Sequence, residues 1–200
     1  MAGHGDDYFS DFFAHSLAAC ERASKDPQVR TAVDRIATTI QASFDNGGKL
    51  LILGNGGSAA HAQHLAAEFL SRYAINREPL PAIALTTDTS VLTAIGNDFD
   101  FDQVFERQVR ALGQPHDVLL AISTSGLSKN VIAALRAARA IGMATVGFTG
   151  QTPREMGGLC DLCLLTPTSD TAIIQQIHLI AGHVICGLVE RSAQVKRPSR

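Results

Sequence analysis

The sequence is short of basic residues, of long apolar runs and of paired cysteines, and each shortage closes a class of function. Seventeen Lys and Arg stand against nineteen Asp and Glu, a formal net charge of −2. That balance gives no cationic footprint for nucleic acid and no pull toward an anionic membrane. No apolar run approaches the length of a bilayer span. The opening MAGHGDDYFSDFF has neither the basic n-region nor the apolar h-region of an export signal. A cytoplasmic protein without nucleic-acid or membrane partners is expected. Four scattered cysteines, Cys20, Cys160, Cys163 and Cys186, suit a reducing compartment better than a disulfide framework. Cys160-x-x-Cys163 lacks a second pair and falls in a stretch that reads as a strand, where the two thiols point to opposite faces. It reads as structural. Nucleotide signatures are missing too: no G-x-G-x-x-G, and no glycine loop ending in Lys-Ser or Lys-Thr.

What the chain does have is arranged around Lys49–Glu68, KLLILGNGGSAAHAQHLAAE. Leu50–Leu53 is an apolar run of strand length. Gly54-Asn55-Gly56-Gly57 breaks it, and an Ala-rich segment follows with good helix propensity, Ser58 at its cap or first turn. Strand, glycine turn and helix start aim free backbone N–H groups at an anion. Along that helix His61, His64 and Glu68 lie at i, i+3 and i+7, on one stripe. An imidazole four residues before a carboxylate is a natural ligand pair for a divalent metal, most simply zinc. A solvated polar face would have the same spacing.

Before this stretch, Phe9, Phe13, Leu17 and Cys20, then Val29, Val33, Ile36, Ile40 and Phe44, repeat at helical spacing on either side of Lys25-Asp26-Pro27. Residues 1–48 therefore read as a helical hairpin, a candidate for contacts between subunits. Beyond it, residues 49–193 alternate strands and helices within one compact unit. Strands are predicted at 82–85, 118–122, 144–148 and 159–165. Helices are predicted from the glycine turn to about Tyr73, at 91–95 before Gly96-Asn97-Asp98, at 101–112, 130–141 and 170–192. From Gln194 the chain reads as a solvated basic end, QVKRPSR. The alternation predicts an α/β fold, a three-layer α-β-α sandwich around a five-stranded parallel sheet. Ligands of such sheets sit beyond the carboxyl ends of the strands, near a topological switch point.

Ser123-Thr124-Ser125-Gly126-Leu127-Ser128 follows the strand at 118–122 and precedes a helix. Its four hydroxyls and the helix-start amides suit a phosphate monoester, so a sugar phosphate fits better than a nucleotide; a Ser/Thr-rich capped turn is the plainer reading. In the last helix Gln175 and His183 can face one target. A polar pair among Ile173, Ile174, Ile177, Ile180 and Val184 is costly unless satisfied, and His183 reads as a partner for His64 and Glu68. His178 reads as a surface histidine or a hydrogen-bonded core one.

Four blocks, GNGGSAAHAQHLAAEFLSRY, LTTDTSVLTAIGNDF, AISTSGLSKN and TSDTAIIQQIHLIAGH, closely resemble bacterial phosphoheptose isomerases, the sedoheptulose 7-phosphate isomerases of the sugar-isomerase (SIS) domain class. The resemblance covers roughly residues 5–193 and implies a flavodoxin-like SIS fold in a homotetramer with active sites between subunits. It implies conversion of sedoheptulose 7-phosphate to D-glycero-D-manno-heptose 7-phosphate, the first step toward ADP- or GDP-heptose for lipopolysaccharide or related glycoconjugates. By the motifs, one zinc per subunit is held by His64, Glu68, Gln175 and His183. The substrate meets Asn55, Gly56, Gly57, Ser58, Glu68, Asn97, Asp98, Ser123, Thr124, Ser125, Ser128 and Gln175, and Glu68 and His183 move the protons. His61 stands where family members often carry Asp, making it a further candidate site residue, and Gln176 stands where Glu commonly follows. Three rivals remain: a non-catalytic SIS regulator binding a sugar phosphate or a protein, an isomerase of another phosphosugar, and a structural assembly protein.

Overall fold

The two central strands are apolar and fully buried because helices cover both of their faces. In the computed structural model, which describes residues 5–196, the strands are β1 (Leu50–Gly54), β2 (Ala82–Ala84), β3 (Val118–Ile122), β4 (Ala144–Thr149) and β5 (Leu162–Leu165). All pair in parallel, in the order β2-β1-β3-β4-β5. Alternation along the pleat sorts their side chains. Leu50, Ile52, Val118, Leu120 and Ile122 join one core cluster, and Leu51, Leu53, Leu119 and Ala121 the other.

The first face is covered by α2 (Pro27–Asp45), α3 (Gly57–Leu70) and α8 (Thr171–Lys196). Over the second lie α4 (Thr89–Asp98), α5 (Glu106–Leu112), α6 (Lys129–Ile141) and the short α7 (Arg154–Gly157). Outside them, α1 (Gly5–Lys25) sets Ala19 and Ala23 on Ile173 and Ile177 of α8, while Tyr8, Phe9, Phe13 and Leu17 stay exposed. The α/β sandwich predicted from the alternation is the fold observed.

Departures from the predicted elements have local causes. The Asp88 carboxylate accepts the Val91 N–H at 3.0 Å, so α4 starts two residues early; it also runs on through Gly96-Asn97-Asp98. The predicted helix 101–112 is broken. A 3-10 turn, Phe101–Gln103, is capped by Asp100, and Val104 and Phe105 then turn into the core before α5 begins. α3 stops at Leu70 rather than near Tyr73 because the Arg77 guanidinium takes the carbonyls of Glu68 and Phe69, both at 2.8 Å. Leu159 and Cys160 bond back to the Met156 carbonyl, which delays β5 to Leu162. Cys160 thus precedes the strand, and its sulfur and that of Cys163 both face Gly147 instead of diverging, their interaction pushing Cys160 up and Cys163 down in pKa. All four cysteines are free.

The last helix departs furthest. Thr171–Ala193 is long and apolar enough to cross a membrane by length and composition, a run that the sequence reading overlooked. Here it is a core helix, with Ile174, Ile177, Ala181, Ile185 and Val189 buried. Helix continues to Lys196, so the start of the predicted basic end is helical, and 197–200 lie outside the described residues.

His178 is the hydrogen-bonded core histidine, 1% exposed, with Nε2 3.1 Å from the Thr149 carbonyl. Burial, opposed by that bond, holds its pKa down to about 4. The unfolded chain takes up a proton near pH 6.5 and the folded chain does not until about 4, so stability falls as pH drops through that window. Denaturant melts in chelator at pH 7 and pH 4.5 should show His178→Gln losing less stability than wild type, by on the order of 2–3 kcal/mol.

Candidate active site

The strand order reverses direction between β1 and β3, and the crevice beyond their carboxyl ends is the switch point. Gly54 pairs with Ile122, so the glycine turn and the serine loop leave the sheet side by side. Asn55 and Asn130 tie them together through two reciprocal amide bonds, both 2.9 Å. In the serine loop the Ser123 hydroxyl lies 3.4 Å from that of Ser125 and 3.1 Å from that of Ser128. Ser128 occupies the N-cap of α6 without a side-chain capping bond. Three hydroxyls thus cluster at the positive end of a thirteen-residue helix, which is chemistry suited to an anion. Thr124 is half-buried and Ser125 exposed at the rim, while Ser58 is buried in the first turn of α3.

A second polar centre forms where α3 meets α8. The two helices approach closely because residue 182 is glycine; a Cβ there would fall 2.7 Å from Leu65 Cδ2. Above that contact, His64 Nε2 and His183 Nε2 are 2.7 Å apart, with the rings edge to face at 82°. Glu68 Oε1 is 3.5 Å from His64 Nε2. One ligand atom from each of His64, Glu68 and His183 lies within 4.8 Å of the others. Two imidazole nitrogens so close share a proton or a cation. Tetrahedral donors about 2.0–2.1 Å from zinc stand roughly 3.3 Å apart, so a zinc ion asks these rings to part by about half an ångström. With that adjustment the nitrogen and oxygen donors fit.

Gln175 projects from α8 toward the glycine turn, its amide against Gly57: a Cβ at 57 would lie 2.7 Å from Nε2 and 2.9 Å from Oε1. Ile180 and Val184, predicted to bury this polar pair, are half-exposed, and Gln175 and His183 are themselves only partly buried. His61 shares the α3 stripe but falls outside the His–Glu–His group. Burial, then the charges of His64 and His183, lower its pKa, and its Nδ1 is buried without a hydrogen-bond partner. Asn97 and Asp98 are exposed in the last turn of α4; the Asn97 amide donates to Asp98 at 2.8 Å, and no hydrogen bond joins them to the other candidates.

Sequence reasoning passed over Asn130, Tyr73, Arg77 and Glu190. Asn130 is 2% exposed and its signal was faint, an amide in the first turn of a helix after a polar loop. Tyr73 stacks on His183 with ring centroids 5.7 Å apart, from a loop with no periodicity to read.

The SIS domain family matches residues 11–150. The phosphoheptose isomerase of Burkholderia pseudomallei (strain 1710b) is 52% identical over 185 residues, covering 90% of this chain and 94% of its own. That of Bradyrhizobium sp. (strain ORS 278) is 55% identical, covering 92% and 93%. Among solved structures, the phosphoheptose isomerase of Neisseria gonorrhoeae superposes with a TM-score of 0.87 at 41% identity, over 93% of this chain and 98% of that one. A Francisella tularensis phosphoheptose isomerase reaches 0.90 at 34% identity, over 94% and 100%. With the fold, half of the sequence and most of the length in common, this chain belongs to the phosphoheptose isomerase family of SIS-domain proteins.

Proposed function

We propose that the protein is a zinc-dependent aldose–ketose isomerase that converts sedoheptulose 7-phosphate to D-glycero-D-manno-heptose 7-phosphate, opening a route to ADP- or GDP-heptose for lipopolysaccharide or a related glycoconjugate. The observation that carries the reading is the meeting of His64, Glu68 and His183, from helices more than a hundred residues apart, at the helix that opens from the glycine turn. A regulator needs a phosphate loop but has no use for such a donor group. The relatives at more than half identity bear the isomerase name.

In this scheme Ser123, Thr124, Ser125 and Ser128 grip the phosphate, and Asn55, Gly56, Gly57 and Ser58 shape the neighbouring wall. Anchoring the far end of the substrate orients its C1 and C2 for proton transfer. His64, Glu68, Gln175 and His183 would hold one zinc per subunit. When bound, the ion supplies Lewis-acid stabilisation of the charge that develops on the substrate oxygen. Glu68 and His183 carry the proton between C1 and C2 through an enediolate. Asn97 and Asp98 hold sugar hydroxyls. The assembly is a homotetramer with active sites between subunits; the exposed Tyr8, Phe9, Phe13 and Leu17 support a subunit contact on α1. The enzyme works in the cytoplasm.

Metal analysis coupled to an assay with sedoheptulose 7-phosphate, with and without chelator, tests the whole. Near-stoichiometric zinc and chelator-sensitive turnover are expected; a metal-free protein that binds sugar phosphates without turning them over would make it a regulator. Faster turnover of an arabinose or hexose phosphate in a substrate panel would change the substrate. Glu68→Gln and His183→Gln should each lower kcat by about two orders of magnitude or more, and near-normal rates in either would remove it from the proton path. Gly57→Ala forces the Gln175 amide aside; turnover should fall about tenfold or more with the melting temperature little changed, and unchanged kinetics would show that Gln175 is not needed where it sits.

A further inference from the structure

The far side of the candidate metal group rests on a buried ion pair. Glu190, on α8, accepts three successive backbone N–H bonds, from Tyr73 at 2.9 Å, Ala74 at 2.8 Å and Ile75 at 2.9 Å. Arg77 Nε lies 3.3 Å from its carboxylate, and the two side chains are 6% and 1% exposed. Burial alone would raise the Glu190 pKa, but the three N–H donors and Arg77 outweigh it and hold the group below its ordinary value, ionised. Removing two charges from water costs several kcal/mol per ion before compensation. Pinning a short surface loop is a small return for that.

What the pair pins gives it a purpose. Arg77 reaches forward to the backbone carbonyl of Glu68 at 2.8 Å. Glu190 fixes the backbone of Tyr73, whose ring stacks on the imidazole of His183 at an interplanar angle of 25°. On α8, His183, Gly187 and Glu190 follow at i, i+4 and i+7 along one stripe. Gly187 makes room for the tyrosine: a Cβ there would stand 3.3 Å from Tyr73 Cε1. One network therefore touches the backbone of one proposed ligand and the ring of another.

We propose that Tyr73 is a positioning residue for His183, held over the imidazole by the buried Glu190–Arg77 pair, so that the loop after α3 sets the geometry of the His64–Glu68–His183 group. This rests on the reading of that group as a cation site. Outer partners of this kind typically change metal affinity by 10–100-fold.

The test uses the full-length protein stripped with chelator, then titrated with zinc against a chromophoric competitor. Alongside it, the ring signals of His183 are followed by NMR in the metal-free state. Tyr73→Ala should weaken zinc binding about tenfold or more and shift the His183 ring signals, with the metal-free melting temperature unchanged. Tyr73→Phe keeps the stacking and should restore both. Glu190→Gln should reproduce the Tyr73→Ala signature; since it strikes a buried pair and can unfold the chain, the tyrosine variants decide. A Tyr73→Ala protein with wild-type zinc affinity and unmoved His183 signals would overturn the proposal. If wild type takes up no zinc yet Tyr73→Ala moves the His183 signals, the positioning role stands and the metal reading falls.

Discussion

The close approach of α3 to α8 is the constraint on which the site depends. The two helices share the apolar face of the sheet covered by α2, where Ala62, Leu65, Ala66 and Phe69 meet Ala181, Ile185, Cys186 and Val189. Small side chains and the absent Cβ at residue 182 let the axes close. Side chains on their outward stripes then have to meet, and those are His64 and Glu68 from one helix and His183 from the other. Apolar area sets the distance, and the polar groups take the positions it leaves. A larger residue at 182 would act on the imidazoles without touching either.

The strand order sets the other polar centre. Because β1 and β3 are neighbours, the loops after them open next to each other, and the Asn55–Asn130 pair locks one against the other. That side offers hydroxyls and helix-start amides, suited to a fixed anion. The helix pair beside it offers imidazoles and a carboxylate, suited to a cation and to proton movement. An isomerase acting on a long sugar phosphate needs both ends, and Gln175 against Gly57 shows where the two sides touch.

Much of this was legible in the sequence, for physical reasons. Leu50–Leu53, the glycine turn and the Ala-rich helix each carry a strong local preference, and the three agree. The i, i+4 spacing of His64 and Glu68 needs only the helix to be right. Pairing them with His183 could not be read from spacing at all; in the sequence it rests on the cost of an unsatisfied polar residue in an apolar helix and on resemblance, and in the structure on tertiary contact. Residues 101–112 failed as one helix because the segment opens as a 3-10 turn capped by the Asp100 side chain, a local detail the apolar spacing does not carry. Cys160 was misplaced by a strand boundary, where a shift of a few residues reverses which thiols can meet. Glu190 carries no local signal near the end of a long helix, and only the chain's return at 73–77 shows what it is buried for.

The Arg77–Glu190 pair also bears on a tension in the proposed chemistry. A carboxylate that both holds a cation and moves a proton must be free at its oxygens, yet a free side chain on a frayed helix end would wander. Glu68 stands two residues before the end of α3, where the last carbonyls have no partner within the helix. Arg77 takes the carbonyls of Glu68 and Phe69, so the backbone there is fixed by a charged donor fork, itself anchored on Glu190. The Glu68 side chain, half-buried, has the His64 imidazole at 3.5 Å as its near neighbour. Firm backbone and loosely held oxygens are thus separated onto different atoms of one residue, and a carboxylate so placed can release a ligand bond without losing its position.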